Sequence, residues 1–113
     1  MSPGGLPVYL RLRELIVAAI IDGSYPEGAL LPSVRAFAAA HGANPLTVAK
    51  AYHQLQHDGL VEVQRGVGMF VAPGAAERLR RIECDRFLAH EWPAIRSKLR
   101  LLGLSPGELL AGS

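Results

Sequence analysis

The stretch NPLTVAKAYHQLQHDG, Asn44 to Gly59, constrains this chain more than any other, because it carries both ends of a helix in one short run. Asn44 can accept a hydrogen bond from the free amides of a first turn, and Pro45 stands at the first helical position, where a missing N–H costs nothing. Val48, Ala51, Tyr52 and Leu55 recur at three-and-four spacing as one buried stripe, and Asp58-Gly59 is the stop. The runs LVEVQ and GMFVA follow at once and flank RGVG. They predict two strands, 60–64 and 68–72, joined by a tight turn in which Gly66 and Gly68 take angles a side chain would forbid.

Two more helices are predicted upstream. From Pro7 to Asp22 the positions Val8, Leu12, Leu15, Ile16, Ala19 and Ile20 line one helix face, and Gly23 ends it. SYPEGALLP holds two prolines and a glycine and predicts a turn, whose Leu30 and Leu31 either pack or form a short edge strand. Ser33 caps the next helix, VRAFAAAH, which stops at Gly42. Only Gly42, Ala43 and the cap residue separate it from the third helix, so the two brace each other at a steep angle. Three helices and then a hairpin is the order of a winged helix-turn-helix, and the expected fold class is mainly α with a small β-hairpin.

Length allows one ordinary core plus an appendage. The expected division is a winged helix-turn-helix over residues 1–73 and a helical tail over 74–113. No apolar run approaches the roughly 20 residues that span a bilayer, and the N-terminal stretch lacks a basic region followed by an apolar one, so a cytoplasmic protein with no membrane partner is expected. Cys84 is the single cysteine and reads as a small apolar helix residue. No metal site and no cofactor are expected, since His53 and His57 share a helix face without further ligands beyond Asp58. No nucleophile–base pair or phosphate loop is legible, which argues against an enzyme.

The net charge is only +2, and residues 1–73 hold five cations (Arg11, Arg13, Arg35, Lys50, Arg65) against five acids (Glu14, Asp22, Glu27, Asp58, Glu62). A polyanion partner therefore depends on where the charges sit. On a helical wheel Leu46, Lys50, His53 and His57 oppose the stripe, with Thr47 and Gln54 at its flanks. Lys50 can reach guanine or a phosphate, Thr47 makes a short polar contact, and Leu46 can meet a thymine methyl. Ser33 and Arg35 suit a phosphate at a helix N-terminus. Gln64, Arg65 and the bare backbone of Gly66 suit a minor groove.

In the tail Leu79, Ile82, Phe87 and Leu88, then a break at Trp92-Pro93, then Ile95, Leu99 and Leu102 read as two helices, with SPGELLAGS a remnant. Leu79, Ile82, Phe87, Leu88, Trp92, Ile95, Leu99 and Leu102 are too many large apolar side chains for a short tail to hide alone, so they are assigned to dimerisation.

Residues 7–71 resemble the DNA-binding domain of the GntR family of bacterial transcription regulators. The resemblance rests on the opening Pro-x-Tyr, G-x-x-x-x-G-x-x-LPSVR, NPLTVAKAY, L-x-x-D-G-L-V and R-G-x-G-x-F-V. It implies DNA contacts at Ser33 and Arg35, from Asn44 through Lys50, and at Arg65 and Gly66. Two positions depart from the family: Ala36 stands where glutamate is common, removing the capping box, and Leu46 where a polar residue is common. The tail length is similar to that of the YtrA-like subfamily. The expected function is a homodimeric regulator, a repressor, on a pseudo-palindromic double-stranded DNA operator, answering to an unidentified small-molecule effector. The alternative is a winged helix used for protein–protein assembly.

Overall fold

The computed structural model describes residues 7–111. Its elements are α1 (Val8–Ile21), α2 (Val34–His41), α3 (Pro45–His57), β1 (Val61–Gln64), β2 (Gly68–Val71), α4 (Ala75–Arg86), a π-helical turn (Phe87–Glu91), α5 (Trp92–Leu101) and α6 (Pro106–Ala111). The chain forms two compact units that divide between Leu79 and Arg80, beyond the expected 73/74 boundary. The displacement has a cause in packing: Ala75 and Leu79 of α4 are buried in the core of the first unit. Leu79 is therefore a core residue of the protomer and not part of a dimer face, which corrects its assignment.

The first unit is built around α3. Its stripe of Val48, Ala51, Tyr52 and Leu55 is buried between α1 and α2, joined by Ile16 and Ile20 of α1, Phe37 of α2, and Leu60, Val61 and Val71 of the hairpin. Each of the valine, leucine, isoleucine and phenylalanine side chains removed from water contributes about 1.5–3 kcal/mol. The α1 wheel needs a small correction: Val17 is buried, whereas Val8 and Leu15 are about half exposed, because the face turned to α3 runs through Leu12, Ile16, Val17 and Ile20. Beyond the stripe, Asp58 ties three elements together. Arg13 donates from Nη2 and Nε to its Oδ2 at 2.9 and 3.2 Å, Gln54 donates to Oδ1 at 3.2 Å, and the Arg78 guanidinium donates to its carbonyl.

The strands pair antiparallel with Val61 opposite Val71 and Gln64 opposite Gly68. The loop segment 28–31 takes the edge option: Leu30 bridges Phe70, Leu31 N–H donates to the Met69 carbonyl at 2.8 Å, and Val71 N–H to that of Ala29 at 2.9 Å. β2 thus has backbone partners on both sides, which fixes the hairpin to the body.

In the second unit, the break expected at Trp92-Pro93 is a widened helical turn. Pro93 has no N–H, and the Trp92 N–H reaches back to the Phe87 carbonyl, so helix continues through the proline. The remnant is a correction too: SPGE opens α6, where Ser105 Oγ accepts from Glu108 N–H at 3.1 Å and Pro106 takes the first position. Cys84 lies exposed on α4. No helix among the described residues is long and apolar enough to cross a membrane.

The Tyr52 hydroxyl donates to the Pro32 carbonyl at 2.7 Å, and its ring meets Phe37 edge-on at 6.0 Å. Burial first, then Tyr25, pushes its phenol up to about 12 from 10.0. The folded state keeps a proton that the unfolded chain releases near pH 10, so this contribution is whole below pH 10 and fades between 10 and 12. Urea titration of Tyr52→Phe is expected to show a loss of about 0.5–1.5 kcal/mol at neutral pH. Its stability should also fall less steeply than wild type above pH 10.

Candidate nucleic-acid interface

A buried stripe on one side of α3 leaves its other side to solvent. Leu46 is 81% exposed, Lys50, His53 and His57 are exposed, and Thr47 and Gln54 lie half-buried at the margins. The start of α3 is shaped by its cap: Asn44 Oδ1 accepts from Leu46 N–H at 2.8 Å, with Pro45 next in line. This holds Leu46 and Thr47 in the first turn, where the Thr47 and Val48 N–H groups both close on the Asn44 carbonyl at 3.0 Å.

The other expected residues come from two neighbouring elements. Ser33 caps α2 by accepting from Ala36 N–H at 3.1 Å, and Arg35 stands exposed in that first turn. Ala36 offers no side chain to return the bond, so the cap is one-sided. On the hairpin, Gln64, Arg65 and Gly66 are exposed at the tip, where Val67 N–H closes on the Gln64 carbonyl at 3.0 Å and Gly66 has φ +81°. Positive φ at the third position is what a type II turn requires. Gly68 has φ +145°, and a Cβ there would lie 2.9 Å from Leu30 Cδ1. Ser33, Val34, Tyr52, Val67 and Gly68 line one cleft of about 310 Å³, so the start of α2 and the wing stand side by side.

Charge placement now becomes visible. Of the five cations in residues 1–73, Arg13 is consumed by Asp58 and Glu14. Arg35 and Arg65 have no ion-pair partner among the described residues, and Lys50 meets only the Tyr9 ring, with its Nζ 4.2 Å from the centroid. No acid occurs anywhere between Glu27 and Asp58. Residues 28–57 thus carry Arg35 and Lys50 with no acid in the same stretch, a local bias that the balanced regional count conceals. Tyr9 entered the sequence reading only through the Pro-x-Tyr element, since the wheel of α3 says nothing of what α1 places beside it. Among the described residues no three His, Cys, Asp or Glu side chains gather as a metal site.

Replacing Gly68 by Ala is expected to cost about 1–3 kcal/mol of stability through backbone strain. Faster amide exchange at Met69 and Val63 should accompany it, since both flank the strained position in the paired strands.

Residues 8–71 match the GntR family of bacterial regulatory proteins. The chain is 30% identical over 106 residues to the HTH-type transcriptional regulator YhcF of Bacillus subtilis, covering 94% of this chain and 86% of YhcF. It is 36% identical over 73 residues to the HTH-type transcriptional repressor YtrA of Bacillus subtilis, covering 65% of this chain and 56% of YtrA. The crystal structure of AraR(DBD) in complex with operator ORX1 superposes with a TM-score of 0.60 at 29% identity, covering 64% of this chain and 87% of AraR(DBD). An exposed helix face, a glycine-tipped wing and these matches lead to one assignment: the chain belongs to the GntR family of bacterial regulatory proteins, with a winged helix-turn-helix in its first unit.

Proposed function

We propose that this protein is a cytoplasmic, homodimeric repressor that binds a pseudo-palindromic operator, with α3 in the major groove and the wing in the minor groove. The observation that carries the proposal is the acid-free surface of residues 28–57, where Arg35 and Lys50 stand unneutralised by any carboxylate beside a wing that ends in Arg65 and Gly66. Phosphate is the chemistry such a surface favours, and the narrow wing tip is slim enough for a minor groove. Ser33, Arg35, Asn44 and Gln64 would fix register on the backbone, Leu46 and Thr47 would meet base edges, and Lys50 would reach a guanine or a phosphate. The operator complex of AraR(DBD) supports operator binding, and the repressor YtrA supports the sign of regulation.

The second unit supports the dimer. Ile82, Phe87, Leu88, Ile95 and Leu102 are all more than a third exposed, and α6 adds Leu109 and Leu110. Trp92, Ile95, Leu99, Pro106, Leu109 and Leu110 line an apolar groove of about 250 Å³. A second copy of the chain would cover this surface and set two recognition helices one helical turn, or a multiple, apart. An effector would then act on the dimer geometry.

Binding-site selection from random duplexes should return a sequence with two-fold symmetry. On that duplex Lys50→Ala and Arg65→Ala should each weaken binding by about 1–3 kcal/mol. Wild-type affinity in both variants would remove the assignment, and affinity for a protein partner that ignores salt would favour the assembly alternative. If Leu46 meets a methyl group, replacing the contacted thymine by uracil should weaken wild type by about 1 kcal/mol or less and leave Leu46→Ala unaffected. Ile95→Asp is expected to sediment as a monomer and to lose at least about a hundredfold in operator affinity.

A further inference from the structure

Lys50 reaches its ring partner across an interhelical boundary. Tyr9 stands in the first turn of α1, half-buried, with its ring packed against the core cluster. Its exposed face receives the Lys50 ammonium, 4.2 Å from the ring centroid. The Lys50 side chain is otherwise exposed and has no carboxylate partner among the described residues. Lysine is among the most rotamer-rich side chains, and ordering it on a phosphate or a base normally costs affinity.

We propose that Tyr9 is a positioning residue for DNA binding, holding Lys50 extended on the outward side of α3 before the duplex arrives. This rests on the groove-facing role given to α3 above. A ring does here what a carboxylate could not. An acid at position 9 would also order Lys50, but it would cancel the charge that phosphate needs and would have to be displaced. The ring quadrupole attracts the cation without neutralising it, and leaves ammonium N–H donors directed away from the ring. Because the ring is anchored in the core and the hydroxyl is not required for the attraction, Phe at position 9 should serve as well as Tyr.

The test uses the full chain and the duplex recovered by selection, with four variants: Tyr9→Phe, Tyr9→Leu, Lys50→Met, and Tyr9→Leu combined with Lys50→Met. Tyr9→Phe should bind like wild type and Tyr9→Leu about two- to fivefold more weakly, the range an exposed cation–π contact predicts. In the Lys50→Met background Tyr9→Leu should cause no further loss, whereas a general loss of folding would lower affinity in both backgrounds. The salt dependence separates the roles again. Lys50→Met should flatten the slope of log K against log salt by about one, and Tyr9→Leu should leave it unchanged.

A loss in Tyr9→Phe would show that the hydroxyl itself touches DNA and would overturn the proposal. Tighter binding by Tyr9→Leu would overturn it too, by showing that the ring sequesters Lys50. Without DNA, the Lys50 ε-methylene protons should be shifted upfield in wild type and Tyr9→Phe but not in Tyr9→Leu. Absence of that shift removes this inference alone, while failure of every protein to bind any duplex removes the groove-facing role beneath it.

Discussion

The burial of four side chains along one side of α3 is the constraint on which the rest of the structure depends. Val48, Ala51, Tyr52 and Leu55 are each at most 2% exposed, and a thirteen-residue helix with one side so committed has no freedom to rotate. Turning it by one residue would expose Leu55 or bury Lys50, and either change costs more than the marginal stability of a small domain tolerates. The outward face is therefore a consequence of the inward one. Leu46, Lys50 and His53 face solvent because the residues one and two positions from them, Val48, Ala51, Tyr52 and Leu55, do not.

The polar ties then fix what hydrophobic contact alone would leave loose. Apolar packing is non-directional, so α3 could still slide along α1. Asp58 prevents this at the C-terminal end by accepting from Arg13, Gln54 and, through its carbonyl, Arg78. Tyr52 does the same near the middle through Pro32, the residue before the Ser33 cap. The same bonds have an electrostatic effect on the surface. They retire Arg13 and Asp58 as a pair and leave Arg35, Lys50 and Arg65 without a carboxylate partner among the described residues.

The wing depends on the body in a different way. A two-stranded ribbon is marginal alone, and here β2 gains a second partner in the 28–31 segment while Val61 and Val71 enter the core. The backbone takes φ +145° at position 68 and +81° at the turn position 66, angles that favour glycine at both. Rigidity at the base and slimness at the tip thus arise from the same short sequence. In the second unit the order is reversed, with secondary structure complete and its apolar side chains left without cover inside the unit.

The sequence by itself determined the elements whose signals are local. Caps at Ser33 and Asn44, a proline at 45, stops at Gly42 and Gly59, and glycines at 66 and 68 act over a few residues, so α2, α3 and the hairpin could be read directly. Ser105 and Glu108 carried an equally local signal for α6, obscured by a proline and a glycine between them. Tertiary structure alone decided where long-range packing competes with pattern. It placed Leu79 in the core, because the opening turns of α4 belong to the first unit. It also set Tyr9 under Lys50, forty-one positions apart in the chain, a contact between two helices whose relative rotation no periodicity within either one can specify.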